Sequence, residues 1–476
     1  MLRNFKYIWL LGLLGTILVV VGVVVLALSP RRVTAPDPWV NVPARLPTVD
    51  HSDLLVGPFT TGPEVTAACL ACHEDAAAQV AMTTHWTWQS PPVTVAWRDE
   101  PVSVGKANTL NNFCIGIQSN EAECTRCHAG YGWGPEEPFD FTNVANVDCL
   151  VCHDQTGTYI KSDEGFPAED VDLLAVAQSV GPPTRANCGG CHFNGGGGNG
   201  VKHGDLDSSL YFPSENLDVH MGGLDFQCTD CHQTENHQIS GRSISVSVDD
   251  ANQIYCTDCH ETTLHSDERI TAHVDTVACQ TCHIPTVALR DPTRVLWDWS
   301  QAGDLSRTNV PGEYLLTRGE FMTTLDYQPT YTWYNGTAQR YLLGDEIDPS
   351  SVTVLDPPMG SIHDPTALIF PFKIHYARQP YDTQYNILLQ PTTAGEGGYW
   401  ETFDWDSALR LGAAAAGIPY SGSYGFAETS MYWPLTHMVQ PASAALTCTD
   451  CHSDNGRMDW LALGYNGDPM VWGGRG

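Results

Sequence analysis

Lysine is scarce in this chain of 476 residues, which contains only Lys6, Lys106, Lys161, Lys202 and Lys373. Charged residues make up 16% of the sequence, and Lys plus Arg (23) fall far short of Asp plus Glu (55), which gives a formal net charge of −32. A chain this acidic repels phosphate backbones, so we expect no nucleic-acid partner. Because lysines are so few, a lysine that lies among glycine or apolar residues requires a specific explanation.

Apolar and aromatic residues are not scarce, and their number excludes a disordered chain. Hydrophobic residues make up 42% of the sequence, with 14 Trp, 18 Tyr and 14 Phe. The length is sufficient for two or three domains. We therefore expect a folded protein with a sizeable buried core.

One long uncharged run occurs near the N-terminus, at Tyr7–Leu28. As a helix it would span roughly 33 Å, enough for the hydrocarbon core of a bilayer. The alternative is a cleaved signal peptide, with a small-residue site at 27–29, but the run is longer than a signal core and Pro30 follows the site. We therefore predict an uncleaved transmembrane anchor at 7–28 after a cytoplasmic tail at 1–6.

Cysteine spacing is the dominant signal, because 16 of the 17 cysteines fall in eight copies of Cys-x-x-Cys-His. In this pattern two thiols bond to one porphyrin and the following imidazole reaches the iron. A zinc site or a redox dithiol would not require a histidine after every second cysteine. The sequence therefore predicts eight covalently bound haem c groups, and it leaves calcium binding open. The eight motifs, in chain order, are Cys69/Cys72/His73, Cys124/Cys127/His128, Cys149/Cys152/His153, Cys188/Cys191/His192, Cys228/Cys231/His232, Cys256/Cys259/His260, Cys279/Cys282/His283 and Cys448/Cys451/His452.

Motif positions also predict the domain organisation. Residues 29–60 are rich in proline and indicate a linker, residues 61–290 form a core that carries seven haems, and residues 291–476 form a wrapper that carries the eighth. So few residues per haem cannot build a conventional core, so we expect the haems themselves to form it. The predicted fold is mainly α with much irregular coil, a multihaem cytochrome c fold around eight packed haems, plus the transmembrane helix. Since haem c is attached outside the cytoplasm, we predict a single-pass protein of the cell membrane, with its N-terminus in the cytoplasm and its haem domain on the periplasmic or extracellular side.

Ten histidines outside the motifs are available as distal iron ligands. A buried electron-transfer haem normally takes a second strong ligand, most often histidine in multihaem chains. Position relative to the motifs favours seven of the ten, and leaves His51, His363 and His375 open. The seven favoured distal ligands are His85, His203, His220, His237, His265, His273 and His437.

Two further residues attract attention as reactive groups. Lys202 follows four consecutive glycines at 195–198, and the alternatives are a solvated side chain on a flexible loop or an iron ligand whose pKa is lowered by burial. Cys114 is the one cysteine outside the motifs, either a small buried apolar residue or a reactive thiol. Arg126, inside the second motif, is predicted to help hold an anion, and Asp205 is predicted to donate a proton.

Four segments resemble the octahaem tetrathionate reductases, and the likeness runs from about His51 to Asp468. In that family the haem of the second motif has a lysine as distal ligand and a nearby non-haem cysteine, whereas the other haems have two histidine ligands. The resemblance implies that Lys202 ligates the haem of the second motif, with Cys114 beside it. The segments are 111–115 (Asn-Asn-Phe-Cys-Ile), 191–198 (Cys-His-Phe-Asn and four glycines), 201–205 (Val-Lys-His-Gly-Asp) and 437–439 (His-Met-Val).

We therefore predict an extracytoplasmic oxidoreductase that reduces tetrathionate, nitrite or hydroxylamine at the Lys202 haem, with electrons from the other haems. A redox partner protein, a small inorganic substrate and the membrane are its expected partners. The alternative is a non-catalytic relay between a quinol-oxidising membrane partner and an external acceptor, and oxidation of a nitrogen compound such as hydroxylamine is a third reading. Whether one iron lacks a second imidazole separates the reductase from the relay.

Overall fold

The computed structural model describes residues 12–21, 39–45, 47–113, 116–244, 248–249, 251–263 and 265–475. The chain divides into two compact units, Met1–Val42 and Pro43–Gly476. All eight motifs lie in the second unit.

Helices are short, and several of them coincide with the motifs because one helical turn places the two cysteines of Cys-x-x-Cys on the same side. Single-turn 3₁₀ helices lie at Thr125–Cys127, Val144–Asn146, Asp163–Gly165, Ser208–Tyr211, Cys256–Asp258, Ala272–Asp275, Trp299–Gln301 and Ala442–Ala444. The α-helices are α1 (12–21), α2 (Gly62–Leu70), α3 (Ala76–Ala81), α4 (Thr84–Thr87), α5 (Glu121–Cys124), α6 (Leu150–His153), α7 (Leu173–Gln178), α8 (Arg185–His192), α9 (Cys228–Cys231), α10 (Glu268–Thr271), α11 (Cys279–His283), α12 (Tyr399–Thr402), α13 (Trp405–Ala416), α14 (Cys448–Cys451) and α15 (Pro469–Trp472).

Three motifs share an interior Thr-Asp, and the aspartate has a local structural role. Asp230 accepts a hydrogen bond from the backbone N–H of Gln227 (2.7 Å), and Asp450 does the same for Thr447 (2.7 Å). Each carboxylate thus satisfies the backbone donor at the start of its helical turn. The shared dipeptide stabilises the turn that carries the two cysteines.

Most of the strands lie beyond residue 290. An eight-stranded sheet has the order β4-β5-β3-β8-β10-β7, with β6 and β9 also paired to β8. β3 is parallel to β8 and β7 to β10, whereas the other pairs are antiparallel. The strands are β1 (Thr234–Glu235) and β2 (Gln238–Ile239), which form a separate hairpin, then β3 (Thr293–Asp298), β4 (Tyr314–Leu315), β5 (Gly319–Thr324), β6 (Thr330–Tyr334), β7 (Thr353–Val354), β8 (Leu368–Asp382), β9 (Ile387–Leu388) and β10 (Tyr424–Pro434).

The predicted fold class is wrong, because the structure is 26% helical and 16% strand rather than mainly α. The strand content lies largely in the C-terminal region, where β8 is almost continuously buried from Ile369 to His375. That region has its own apolar core, in which Trp297, Trp433 and Leu409 of α13 are at most 1% exposed. Protein side chains therefore form a conventional core in the region that we predicted to be a wrapper.

The predicted membrane anchor is also wrong. No helix in the described part of the chain is long and apolar enough to cross a membrane. Within the predicted span Tyr7–Leu28 the structure describes α1, and the rest of the span and the tail at 1–6 lie outside the described residues. The predictions of a transmembrane helix and of single-pass localisation in the cell membrane are corrected accordingly.

Candidate haem centres and reactive site

Seven motif histidines each face a histidine from elsewhere in the chain. Two imidazoles bound to one metal at about 2 Å each place their ring centres roughly 6 Å apart. The observed separations match this value, so the donor set fits a haem between the two rings. The pairs, with centroid distances, are His73–His51 (6.5 Å), His153–His237 (6.4 Å), His192–His85 (6.2 Å), His232–His437 (6.3 Å), His260–His220 (6.1 Å), His283–His265 (6.2 Å) and His452–His273 (6.1 Å).

Hydrogen bonds at Nδ1 orient several of these rings. A protonated Nδ1 fixes the tautomer whose Nε2 lone pair is available to a metal. The acceptor is a backbone or amide oxygen in four cases, namely Gly181 O for His153 (2.9 Å), Ser240 O for His232 (2.8 Å), Gln79 Oε1 for His237 (2.8 Å) and Arg269 O for His273 (2.6 Å).

A carboxylate lies behind two other rings. His437 Nδ1 is 3.2 Å from Asp205 Oδ2, and His452 Nδ1 is 2.6 Å from Asp468 Oδ1. Asp205 is fully buried, and Oδ2 also accepts from the backbone N–H groups of Thr436 (2.7 Å) and His437 (2.9 Å). Burial lowers the pKa of His437, but the hydrogen bond and charge of Asp205 raise it above its ordinary value. The structure thus places Asp205, which we predicted as a proton donor, as the partner of a histidine that faces His232.

Asp205→Asn is therefore expected to raise the midpoint potential of the haem of the fifth motif by about 30–60 mV. The carboxylate stabilises the more positive ferric state, and a tenfold change in a one-electron equilibrium corresponds to about 59 mV. A spectroscopic redox titration of the holoprotein measures the shift. Asp468→Asn is the matched control, because it should move the haem of the eighth motif instead. An unchanged fifth haem in Asp205→Asn would contradict the assignment.

The pairing differs from the predicted distal set at one position. Six of the seven predicted histidines face a motif histidine, but His203 does not, and His51 pairs with His73 in its place. The His203 ring contacts Trp433 at 4.8 Å, and its Nδ1 is 3.9 Å from Asp205 Oδ1. His363 is exposed and His375 is fully buried, and neither ring pairs with a motif histidine in the described part of the chain.

His51→Ala is expected to convert one haem to the high-spin state, because removal of an axial imidazole opens one coordination position. His203→Ala should leave every haem in its original spin state. Electron paramagnetic resonance (EPR) of the oxidised proteins, with haem content checked by intact mass, makes the comparison. The opposite pattern would return His203 to the set of distal ligands.

The first motif presents its two cysteines on one helical turn. Cys72, which we predicted as a haem-binding thiol, is exposed, whereas Cys69 is partly buried and contacts Cys149. The backbone N–H of Cys72 donates to the carbonyl oxygen of Cys69 (3.1 Å), so the turn still presents both thiols on one side. This turn geometry is compatible with the predicted attachment of one haem to Cys69 and Cys72. The other exposed motif cysteines are Cys152, Cys231, Cys259 and Cys448.

The second motif is the exception to the pairing. His128 is fully buried, and its Nε2–H donates to the backbone oxygen of Trp86 (2.7 Å), while its Nδ1 has no hydrogen-bond partner. Burial lowers the pKa of His128 to about 4, so the ring is neutral. We predicted His128 as a proximal iron ligand, but its Nε2 is engaged by a carbonyl and no described histidine faces it. Its ring contacts are aromatic, from Trp86, Trp88, Trp133, Phe139 and Phe141.

The four lysines beyond Lys6 gather around this motif. The charges of Lys106, Lys161 and Lys202 all act on Cys127 of the second motif. Lys373 reaches the same region, because its Nζ donates to the backbone oxygen of Lys202 (3.2 Å). In a chain with only five lysines, four of them therefore lie close to this motif.

Lys202 has the environment that amine ligation requires. Burial, together with the charge of Lys106, lowers the pKa of Lys202 to about 7. Its Nζ lies 4.9 Å from the centroid of the Trp433 ring. A lysine with this pKa supplies a neutral amine close to physiological pH, whereas an ordinary lysine would be almost fully protonated.

Lys161 supports the backbone of the second motif from the other side. Its Nζ donates to the carbonyl oxygens of His128 (2.5 Å) and Gly130 (3.1 Å), and it pairs with the buried carboxylate of Asp148 at 2.9 Å. Sequence reasoning noted this lysine only as one of few. Its role depends on a contact across 33 residues, which no local pattern indicates.

Cys114 lies outside the described residues, but the segment before it is placed. The Phe113 ring is buried and lies 5.8 Å from Trp433, over which Lys202 is positioned. Gly196 has a φ of +79°, and a Cβ there would lie 2.3 Å from the Phe113 ring. The glycine run thus permits close approach between the Lys202 loop and the segment that leads to Cys114.

Arg126 is directed away from this region. Its guanidinium pairs with Asp163 and lies 3.8 Å from Glu123, and its side chain is 45% exposed. The predicted anion-holding role therefore has no support in its contacts.

Contacts and electrostatic interactions between cysteines connect all eight motifs, with the second motif as a branch at the fourth. Cysteine side chains of different motifs contact each other between the first and third, second and fourth, fourth and fifth, and sixth and seventh motifs. Electrostatic interactions between cysteines connect the third with the fourth, the fifth with the sixth, and the seventh with the eighth. The second motif adjoins the fourth, which also adjoins the third and the fifth.

Comparison with known proteins agrees with this architecture. The family model "Cytochrome c bacterial" matches residues 294–455, and "Cytochrome c7 and related cytochrome c" matches residues 214–284. The crystal structure of octahaem cytochrome c from Shewanella oneidensis is 48% identical with a TM-score of 0.84, and the match covers 89% of this chain and 98% of that one. An uncharacterised protein of Archaeoglobus fulgidus is 24% identical over 251 residues, which are 41% of this chain and 82% of that protein.

The Shewanella match extends over nearly the whole of both chains. The eight motifs of this chain equal in number the eight haems in the name of that protein. The prediction of covalently bound haem c is confirmed, and the chain functions in multihaem electron transfer. As the resemblance to the octahaem tetrathionate reductases predicted, the chain belongs to the family of octahaem cytochromes c.

Proposed function

We propose that this cytochrome is a reductase of small inorganic acceptors, with tetrathionate as its main candidate substrate, and that the haem of the second motif is the reaction site. The observation that carries the proposal is the exceptional state of His128. Seven motif histidines face a second imidazole, whereas His128 donates its Nε2–H to a carbonyl and faces none in the described structure. A centre without two imidazoles is the one able to accept a substrate.

Lys202 is the side chain that the site offers as an iron ligand. Its amine lies next to the second motif, and with a pKa of about 7 a large share of it is neutral near pH 7. The haem, when bound, supplies one-electron transfer and a coordination position on iron. Lys202 would occupy that coordination position. A primary amine is displaced by a substrate more easily than an imidazole that is fixed by a hydrogen bond.

The charge of the site suits an anion. Lys106 and Lys161 place positive charge near the second motif of an otherwise acidic chain. Tetrathionate and nitrite are anions, so this field favours their entry over that of a cation. Reduction of tetrathionate takes two electrons, breaks the central sulfur–sulfur bond and yields two thiosulfate ions.

The remaining haems would feed the site. The second motif adjoins the fourth, which connects to the first and third motifs in one direction and to the fifth through eighth in the other. Electrons that enter at either end thus reach the reaction site through the fourth haem. A redox partner protein would donate them.

Turnover by the purified holoprotein tests the proposal. With a reduced viologen dye as donor, we expect two dye electrons to be consumed per tetrathionate and two thiosulfate ions to form. Nitrite and hydroxylamine serve as parallel acceptors. A protein that takes up electrons into all haems but reduces none of the three acceptors would be a non-catalytic relay, and the proposal would be rejected.

A further inference from the structure

The inner face of β8 contacts both loops of the proposed reaction site. Lys373 and His375 are two residues apart on this strand, so their side chains lie on the same side of the sheet. Both are fully buried. Neither belongs to a haem attachment motif, and the proposed reduction uses neither directly.

Lys373 holds the backbone of the Lys202 loop. Its Nζ donates to the carbonyl oxygens of Val201 (2.7 Å) and Lys202 (3.2 Å), and no carboxylate within the described structure forms a salt bridge with it. A buried amine without hydrogen-bond acceptors is costly, so these two hydrogen bonds hold the loop backbone against the strand. A Cβ on Gly204 would lie 3.4 Å from the Lys373 side chain, so the loop approaches the strand closely.

His375 holds the segment that leads to Cys114. Its Nδ1–H donates to Asn112 Oδ1 (2.9 Å), and Asn112 Nδ2 donates back to the carbonyl oxygen of His375 (2.8 Å). Asn112 is fully buried, and the adjacent Phe113 ring packs edge-on against the His375 ring at 6.1 Å. This reciprocal pair fixes the chain two residues before the thiol.

Trp433 of β10 completes this surface. It is the register partner of Lys373, and its ring contacts Phe113 (5.8 Å) and lies beneath the amine of Lys202 (4.9 Å). One rigid sheet therefore contacts the loop that carries the amine and the segment that leads to the thiol. Sites built on strands hold their geometry more closely than sites built on loops alone.

We infer that Lys373 and His375 are positioning residues: Lys373 sets the position of the Lys202 amine, and His375 sets the position of Asn112 and Phe113, which precede Cys114 in the sequence. The inference rests on the proposed function, and it assigns to the C-terminal sheet a role in the reaction beyond covering the haems. Each residue acts through a different loop, so their substitutions should produce different effects.

Lys373→Met tests the first half, because it keeps the apolar stem and removes the amine. We expect all eight haems to remain attached, the EPR signal of the Lys202 haem alone to change, and kcat for every acceptor to fall by about 10- to 100-fold, as small displacements of reacting groups produce. Arg378→Met is the matched control on the same strand, because Arg378 is exposed on the opposite face. Its spectrum and turnover should match those of the wild type.

His375→Leu tests the second half. It should leave the EPR signal of the Lys202 haem unchanged and lower kcat for tetrathionate by about tenfold or more, with a smaller effect on nitrite. His375→Gln, which retains a donor for Asn112, should restore most of the tetrathionate rate. Equal losses for both acceptors, or no rescue by glutamine, would overturn the assignment of His375.

Lys202→Met, measured in parallel, distinguishes a failure of the proposed function from a failure of the positioning role of Lys373. If its EPR spectrum equals that of the wild type, the proposed function fails. If Lys202→Met changes the spectrum and Lys373→Met does not, only the positioning role of Lys373 fails. Should Lys373→Met lose haem, Lys373→Gln provides the same comparison, and an unchanged Lys202 haem there would overturn the inference.

Discussion

Lys202→His is expected to lower turnover of tetrathionate, nitrite and hydroxylamine by about 100-fold while all eight haems remain attached. An imidazole that binds iron about 3 kcal/mol more tightly than an amine would open the coordination position about 100-fold less often. The centre would then have an imidazole in place of the displaceable amine. Electron uptake from the dye should be unaffected, since the relay centres are unchanged.

Lys202→Ala provides the contrast at the same position. Loss of the amine leaves the coordination position without this protein ligand, so we expect small ligands such as cyanide to bind the second haem faster than in the wild type. EPR and cyanide-binding kinetics, measured on the oxidised holoproteins, separate the two variants. Full turnover in Lys202→His would show that the reaction does not need a displaceable ligand at this haem.

The haem attachment sites could be read from the sequence because each depends on five adjacent residues. Distal ligands were less accessible, since they come from distant segments. His237 follows the fifth motif in sequence but faces His153 of the third, and His51 is separated from its own partner His73 by α2. Proximity to a motif therefore identified residues that face a haem without identifying which haem they face.

The environment of the second motif was even less predictable from the sequence. Its sequence pattern is the same as that of the other seven, yet His128 donates to the carbonyl of Trp86, 42 residues away. Nothing inside Cys-x-x-Cys-His distinguishes a histidine that faces a second imidazole from one held in an aromatic pocket. Lysine scarcity was the available signal, because it directed attention to Lys202 independently of the motif.

The C-terminal sheet was missed for a related reason. Strand patterns are recognised by alternation of apolar and polar residues, but β8 is buried on both faces from Ile369 to His375 and includes a buried lysine. Lys373 and His375 interrupt the apolar run where the strand contacts the proposed site. In β8, the two polar residues within the buried apolar run are therefore the ones that contact the proposed site.

Cys114→Ser is expected to reduce turnover of tetrathionate by about 100-fold and that of nitrite or hydroxylamine by less than about threefold, because a hydroxyl is a far weaker nucleophile than a thiolate. Attack of the thiolate on the central sulfur–sulfur bond releases one thiosulfate and leaves the other half bonded to the cysteine sulfur. Two electrons from the haems then break that bond, release the second thiosulfate and restore the thiolate. Nitrogen acceptors have no sulfur–sulfur bond and do not require this step.

Steady-state kinetics with both classes of acceptor distinguish a chemical role of Cys114 from a packing role. The measurements use protein whose eight haems are confirmed by intact mass. Cys114→Ala is the companion variant and should behave like Cys114→Ser, since both lack the thiol. The Phe113 ring lies within 5.8 Å of Trp433, which is in contact with the Lys202 amine, so the thiol segment and the amine adjoin the same indole. Unequal losses would therefore assign the thiol to sulfur–sulfur chemistry, whereas equal losses for all acceptors would show that Cys114 only supports the packing of that segment.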